Sequence, residues 1–216
     1  MPLNPNDELN ILDQKSEFKR RAIPFKEYFA PMGITKEQKK RRIRLAETIA
    51  GIYYAAFSLI ETQSDFNILN YTVVALYIRE ELIKAYENET GRISDAFLLD
   101  HAMQQAAEII AVNKRHVDDP YYTSDDRADV IAENDANAII GYDELETAIE
   151  AGYTHKTWNG MLDKRERETH IRMEGKTIPI QSAFDVNGSL MMVPGSGDMG
   201  AAAEEIVNCR CWLTYS

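Results

Sequence analysis

Residue types able to do chemistry gather in the last quarter of the chain. Asp163-Lys164-Arg165-Glu166-Arg167-Glu168-Thr169-His170 sets acid, base and imidazole side by side. If this stretch is helical, Asp163, Arg167 and His170 stand four and three residues apart and share a face. A carboxylate there can orient the imidazole, and an arginine can grip a carboxylate through two bonds. A surface helix laced with ion pairs uses the same residues, so both readings stand. The second cluster is Asn208-Cys209-Arg210-Cys211. On a strand the two thiols point to one side, because side chains alternate. Such a pair is packed core, a short-loop disulfide, or two of the usual four zinc ligands. Manufacture in a reducing compartment disfavours the disulfide. For a metal, the other ligands would come from elsewhere, and His170 and Asp163 are the candidates by type. A lone Cys-x-Cys is a weak metal signal, since zinc sites normally carry a second pair.

Other chemistries are missing their signatures. Gly195-Ser196-Gly197 lacks the spacing of a phosphate loop, and no lysine follows it. Ser182, Ser189 and Ser196 lack the flanking glycines of an esterase elbow. Gly175, Pro179 and Phe184, and then Pro194-Gly195 with Asp198, read as turn chemistry and a core aromatic. No catalytic residue is assigned.

The elements expected to position these residues are short. Tyr153–Trp158 alternates and carries Thr and aromatics, which predicts a strand. Residues 163–172 are helix-compatible. Asn187-Gly188 between Phe184–Val186 and Ser189–Met191 is a strong hairpin signal. Ala201–Ile206 predicts a helical turn or two, and Cys211–Tyr215 a last strand. Upstream the pattern is helical. Thr35 is a candidate N-cap, followed by a stripe of Ile43, Ala46, Ala50, Tyr53, Phe57 and Ile60. Residues 67–87 are apolar on two faces, through Leu69, Val73, Leu76 and Ile83 and through Tyr71, Val74, Ile78 and Leu82, which predicts the central helix of a bundle. Gly91 breaks the chain and Ser94 is the expected cap of a helix with a Leu99, Ala102, Met103, Ala106, Ile109 and Ile110 stripe. After a loop at 117–122, one helix is expected from Ser124 to Ile140 and a separate short one over Asp143–Ala151, stopped by Gly152. Pro2, Pro5, Pro24 and Pro31 predict an extended arm over 1–34, with an amphipathic piece around Phe18–Phe29, lying on a neighbouring subunit. The expected architecture is α+β: an arm over 1–34, a helical region over 35–152, and a small C-terminal α+β module with a β-hairpin over 153–216.

The chain has 216 residues, 44% of them hydrophobic and 27% charged, which is globular usage. No uninterrupted apolar run approaches the roughly 20 residues of a membrane span. Met1-Pro2-Leu3-Asn4-Pro5 shows no basic n-region, so a soluble chain made inside the cell is expected. Residues 1–50 hold 11 Lys and Arg against 7 Asp and Glu, whereas the other 166 hold 13 against 28. An acidic body is repelled by nucleic acid at long range, which disfavours general nucleic-acid binding. The local run Lys36, Lys39, Lys40, Arg41, Arg42 and Arg44 is either a solvated helix face or a contact for a phosphate or an acidic partner.

The order of the parts carries a resemblance. A strand ending in Trp158, then Asp163-x-Arg165-x-Arg167-x-x-His170, then Gly175, Pro179 and Phe184, then Pro194-Gly195, then Asn208-Cys209-Arg210-Cys211, resembles the Mu F-like minor head proteins of tailed bacteriophages, also described as phage head morphogenesis proteins. Ile131-Ala132-Glu133-Asn134-Asp135-Ala136-Asn137 is similar to the stretch that precedes the module in that family. The likeness covers roughly residues 125–216. It departs at Val207, where many members have proline, and at Ser196-Gly197, which separate Pro194-Gly195 from Asp198. It implies a minor head protein of the virion, made in the host cytoplasm, resident in the capsid interior, and acting in head morphogenesis and DNA packaging or delivery. The implied partners are the portal protein and, beside it, major capsid or scaffolding protein, with packaged DNA reached through Lys36–Arg44 and no membrane. In this reading Asp163, Arg165, Arg167, His170, Asn208 and Arg210 form a structural polar cluster near Cys209 and Cys211. No cofactor is expected, with a structural zinc on the two cysteines as the alternative to packed thiols. The competing reading is a virion-delivered metal-dependent hydrolase or nuclease using Asp163 and His170 with zinc on Cys209 and Cys211.

Overall fold

The computed structural model describes residues 22–61 and 68–216. Within the expected arm, α1 (Phe25–Phe29) begins directly after Pro24, whose missing N–H suits a helix start. The described part of the arm folds back on its own chain. Tyr28, Phe29 and Met32 are buried in the helical core, so this segment finds its apolar cover without a neighbouring subunit. The expectations for residues 1–21 lie outside the described residues.

Helix α2 (Lys36–Glu61) opens with a capping box. Thr35 Oγ1 accepts from the Gln38 N–H at 3.2 Å, and Gln38 Oε1 accepts from the Thr35 N–H at 2.9 Å. Ala46, Ala50, Tyr53 and Phe57 of the expected stripe are buried. By length and composition α2 is apolar enough to cross a membrane; here its apolar face lines the bundle core. Helix α3 (Ile68–Thr90) stops at Gly91, whose φ of +74° suits glycine. Helix α4 (Ala96–Arg115) is capped by Asp95, whose carboxylate accepts from the Phe97 and Leu98 N–H groups, and the expected cap Ser94 falls one residue early. A 3₁₀ turn over Pro120–Thr123 leads to Ser124, which caps α5 (Asp125–Glu150) through the Arg127 N–H.

Two expectations are corrected here. Helix α3 is not central: its stripe of Tyr71, Val74, Ile78 and Leu82 faces the core, while Val73 and Leu76 are 58% and 46% exposed. The central helix is α5, which buries Ala128, Ala132, Ala136 and Ile139 together with Arg127, Glu133, Asp135 and Asn137. Polar residues on its hidden faces mask that burial in any hydropathy pattern. The break expected between Ile140 and Asp143 is absent as well. Gly141 continues the helix with Val193 beside it, and the chain turns only at Gly152, at φ +84°.

Beyond Gly152 the fold becomes α+β. Strand β1 (His155–Asn159) leads through a turn to the single helical turn α6 (Glu168–Ile171), then to β2 (Thr177–Pro179). The Asn187-Gly188 turn joins β3 (Phe184–Val186) to β4 (Ser189–Met191), with both turn residues at positive φ as a type I′ hairpin requires. The helical turn α7 (Ala203–Ile206) precedes β5 (Trp212–Tyr215). Strand β1 is the centre of an antiparallel sheet ordered β2-β1-β5, with Thr157 opposite both Thr177 and Thr214. Its period-two pattern drives Lys156 and Trp158 inward.

Two apolar clusters result. One joins α1 to α5 through residues such as Tyr53, Tyr86 and Ile139. The other gathers Trp158, Phe184, Val186, Met191 and Leu213 with Leu145 and Ala148 of α5. The last turns of α5 therefore belong to the core of the module. Trp212 reaches the other way, packing against the helical cluster with its ring over Gly33, where a Cβ would stand 2.6 Å from it.

Candidate functional site

The expected helix over 163–172 shrinks to α6, with Arg167 extended at its N-cap, so Asp163, Arg167 and His170 do not share a face. Each takes a different partner. Asp163 turns to Arg210, whose guanidinium donates to Oδ1 at 2.8 Å, and the Arg165 N–H donates to the same oxygen at 2.9 Å. Burial acts to raise the Asp163 carboxyl, yet Arg210 and Arg165 outweigh it and hold the group below the usual carboxylate range. The Arg165 side chain stays exposed. Arg167 donates to the Val207 carbonyl, tying α6 to the residue before Asn208.

His170 points inward, its ring edge-on to Trp158 at 5.4 Å. Cys209 and Cys211 precede β5 rather than lying within it. They nevertheless converge, because Asn208 at φ +61° swings the chain inward and both sulfurs are buried. His170 Nδ1 stands 3.4 Å from Cys211 Sγ and 3.7 Å from Cys209 Sγ. Its other nitrogen lies 3.1 Å from Glu205 Oε2, and Thr169 Oγ1 donates to that same oxygen at 2.8 Å. Burial lowers His170, but Cys209 and Glu205 prevail and hold the imidazole above its ordinary value. The bond from Cys211, with help from His170, pulls Cys209 well below the usual thiol range against burial. The same bond and burial push Cys211 well above it. Cys209 is thus the proton-poor sulfur of the pair.

Of the expected metal ligands, the fold assembles His170, Cys209 and Cys211 and sends Asp163 elsewhere. Glu166 stands where Asp163 was expected, with Oε1 3.4 Å from Cys211 Sγ. Sequence reasoning missed both Glu166 and Glu205. Glu166 sits in a charge run where nothing local sets it apart from Asp163 or Glu168, and no spacing links Glu205 to His170 before the fold is known.

The cluster is bonded to α5 through main-chain groups. Asn208 N–H donates to Asn134 Oδ1 at 2.7 Å. Asn137 Nδ2 donates to the carbonyls of Cys209 and Cys211 at 3.3 and 3.1 Å, and its Oδ1 accepts from Arg42 Nε at 3.0 Å. The Tyr28 hydroxyl adds a bond to the Cys209 carbonyl at 3.4 Å. Asp135 instead serves the bundle, accepting from the Tyr53 and Tyr86 hydroxyls and facing His101 Nε2 at 3.3 Å. A cavity of about 220 Å³ opens beside it between α4, α5 and the Gly195–Gly197 loop.

The basic run on α2 is largely taken up internally. Arg41 pairs with Glu89 and Asp143, the buried Arg42 with Glu144, and Arg44 with Glu89. The lysine ends of the run remain outward: Lys40 pairs loosely with Glu37, and Lys39 donates to the Ala30 carbonyl.

The stretch that carries the Asn-rich helix and the Cys-x-Cys turn has a counterpart among known sequences. The family described as Phage Mu protein F like protein matches residues 80–214. The chain belongs to that family and is a phage head morphogenesis protein. The match begins in α3 and takes in α4, well upstream of residue 125. The NAD(+)--arginine ADP-ribosyltransferase EFV of Enterococcus faecalis (strain ATCC 700802 / V583) is 36% identical over 72 residues, 33% of this chain. This chain spans 14% of that protein's length. No solved structure matches.

Proposed function

We propose that this head protein is a minor, portal-associated component on the capsid interior, and that its role there is structural. The observation that supports a structural role is how the polar cluster is used. Asp163 holds Arg210, Arg167 holds the Val207 carbonyl, Asn208 is held by Asn134, and His170 is enclosed by two thiols and Glu205. Each of these contacts joins one part of the chain to another, and unpairing a buried one costs several kcal/mol. The hydrolase or nuclease reading needs Asp163 beside His170, and Asp163 faces Arg210 instead. Participation in DNA packaging or delivery follows from the portal placement in this reading. DNA contact through the basic run falls to its lysines, since its arginines already face carboxylates.

Quantitative mass spectrometry of procapsids and mature particles from the parent phage or induced prophage tests this, with cross-linking in the same particles. A few copies per particle with cross-links to the portal protein is the expected result. Absence from both particles overturns the virion placement, and cross-links confined to the major capsid protein overturn the portal placement.

A further inference from the structure

We propose that His170 Nδ1, Cys209 Sγ, Cys211 Sγ and Glu166 Oε1 bind one zinc ion in a closed, structural site. The ligand spacing carries the inference. Zinc takes sulfur at about 2.3 Å and imidazole nitrogen at about 2.0–2.1 Å in a tetrahedron, which sets neighbouring ligand atoms about 3.6 Å apart. The two nitrogen–sulfur separations, 3.4 and 3.7 Å, bracket that edge, and the Glu166–Cys211 separation of 3.4 Å lies close to it. The His170, Cys209 and Cys211 ligand atoms all lie within 4.8 Å of one another; Glu166 stands outside that trio against Cys211, and its carboxylate would turn inward to complete the tetrahedron. A small pocket of about 10 Å³ is lined by all four residues together with their neighbours.

Two sulfurs approach Nδ1, and a carboxylate approaches one of them. Protons can pair these groups two at a time, His170 with Cys209 and Cys211 with Glu166, whereas a cation at their centre would engage them together. The surroundings are arranged as they are around bound metals. Glu205 stands at the far nitrogen of His170, which leaves Nδ1 as the ligating atom. The Leu162 N–H holds Glu166 Oε2, which leaves Oε1 for the ion. Two thiolates with one imidazole select zinc over magnesium or calcium, and a fourth protein ligand leaves no position for a reacting water. The ion would pin the 166–170 segment to the turn before β5. This inference does not rest on the portal placement, because its test uses the isolated full-length chain.

Native mass spectrometry and elemental analysis of the full chain, purified without chelator, should find about one zinc per chain. Chelation should lower the melting temperature, and adding zinc back should restore it. Cobalt exchanged into the site should give the visible bands of a tetrahedral ion and thiolate charge transfer. Those three measurements use the parent chain, so they hold even where Cys209→Ser or Cys211→Ser fails to fold. Glu166→Ala should release zinc to a chromophoric chelator at least about tenfold more readily, the size of effect typical around a metal site. A metal-free chain whose melting temperature ignores both chelator and zinc overturns the proposal. Full zinc content with unchanged affinity in Glu166→Ala overturns the closed site and its structural character.

Discussion

The helical bundle and the C-terminal module reach stability by different routes. The bundle spreads its core along four long helices, so many residues each supply a modest share of apolar burial. The module has strands of three to five residues around Trp158 and relies on a few polar and sulfur contacts that must all be made. Distributed burial tolerates substitution at single sites. Concentrated contacts do not, and a fold built on them shows its dependence at named positions.

The largest test of that contrast is Trp158→Ala. Trp158 is fully buried, with its ring edge-on to Phe184 at 5.3 Å and to His170. Its loss should cost about 3–5 kcal/mol. Limited proteolysis should then cut the module first while helical circular dichroism persists; simultaneous loss of both would break the contrast. Next is Asn137→Leu, which strips the Cys209 and Cys211 carbonyls and Arg42 Nε of their shared partner. The Tyr28 hydroxyl still reaches the Cys209 carbonyl, so two groups are left unpaired; at about 1–3 kcal/mol for each, a loss of roughly 2–6 kcal/mol is expected in urea unfolding. Because Asn137 serves both regions, this variant should destabilise them together.

A pH series sharpens the same point. Burial lowers Lys156 to about 8, where its ammonium donates to the Met192 carbonyl at 2.8 Å. The unfolded chain keeps that proton to about pH 10.4. Between those values the unfolded state binds more protons, so this residue's contribution to stability rises with pH, by on the order of 2 kcal/mol. Relative to Lys156→Met, the parent should gain stability from pH 7.5 to 10, and a flat difference would mean that the site is well solvated. The smallest effect belongs to the bundle surface. Arg44 is half exposed against Glu89, and Arg44→Ala should move stability by less than about 1 kcal/mol.

Local rules account for much of what could be read beforehand. Thr35 and Ser124 cap their helices, Gly91 and Gly152 end theirs, and Asn187-Gly188 turns its hairpin, since each depends only on neighbours in the chain. The α+β class followed from the change of pattern after Gly152. Positions set by tertiary contact escaped. Helix α5 conceals its central place because Arg127, Glu133, Asp135 and Asn137 are buried as polar groups. Asp163 and Glu166 were indistinguishable as carboxylates in a charged run until one met Arg210 and the other Cys211. The convergence of His170 with Cys209 and Cys211 depends on the left-handed Asn208, which no spacing rule announces.

Helix α5 runs unbroken through Gly141, about 39 Å at 1.5 Å per residue over its 26 residues. Its first half is bundle and its last turns are module. No joint separates the two regions along this path, so a load applied at one end is carried to the other as by a lever. Turning the module against the bundle would mean bending the helix itself and drawing Asn134 and Asn137 off the Cys209–Cys211 turn.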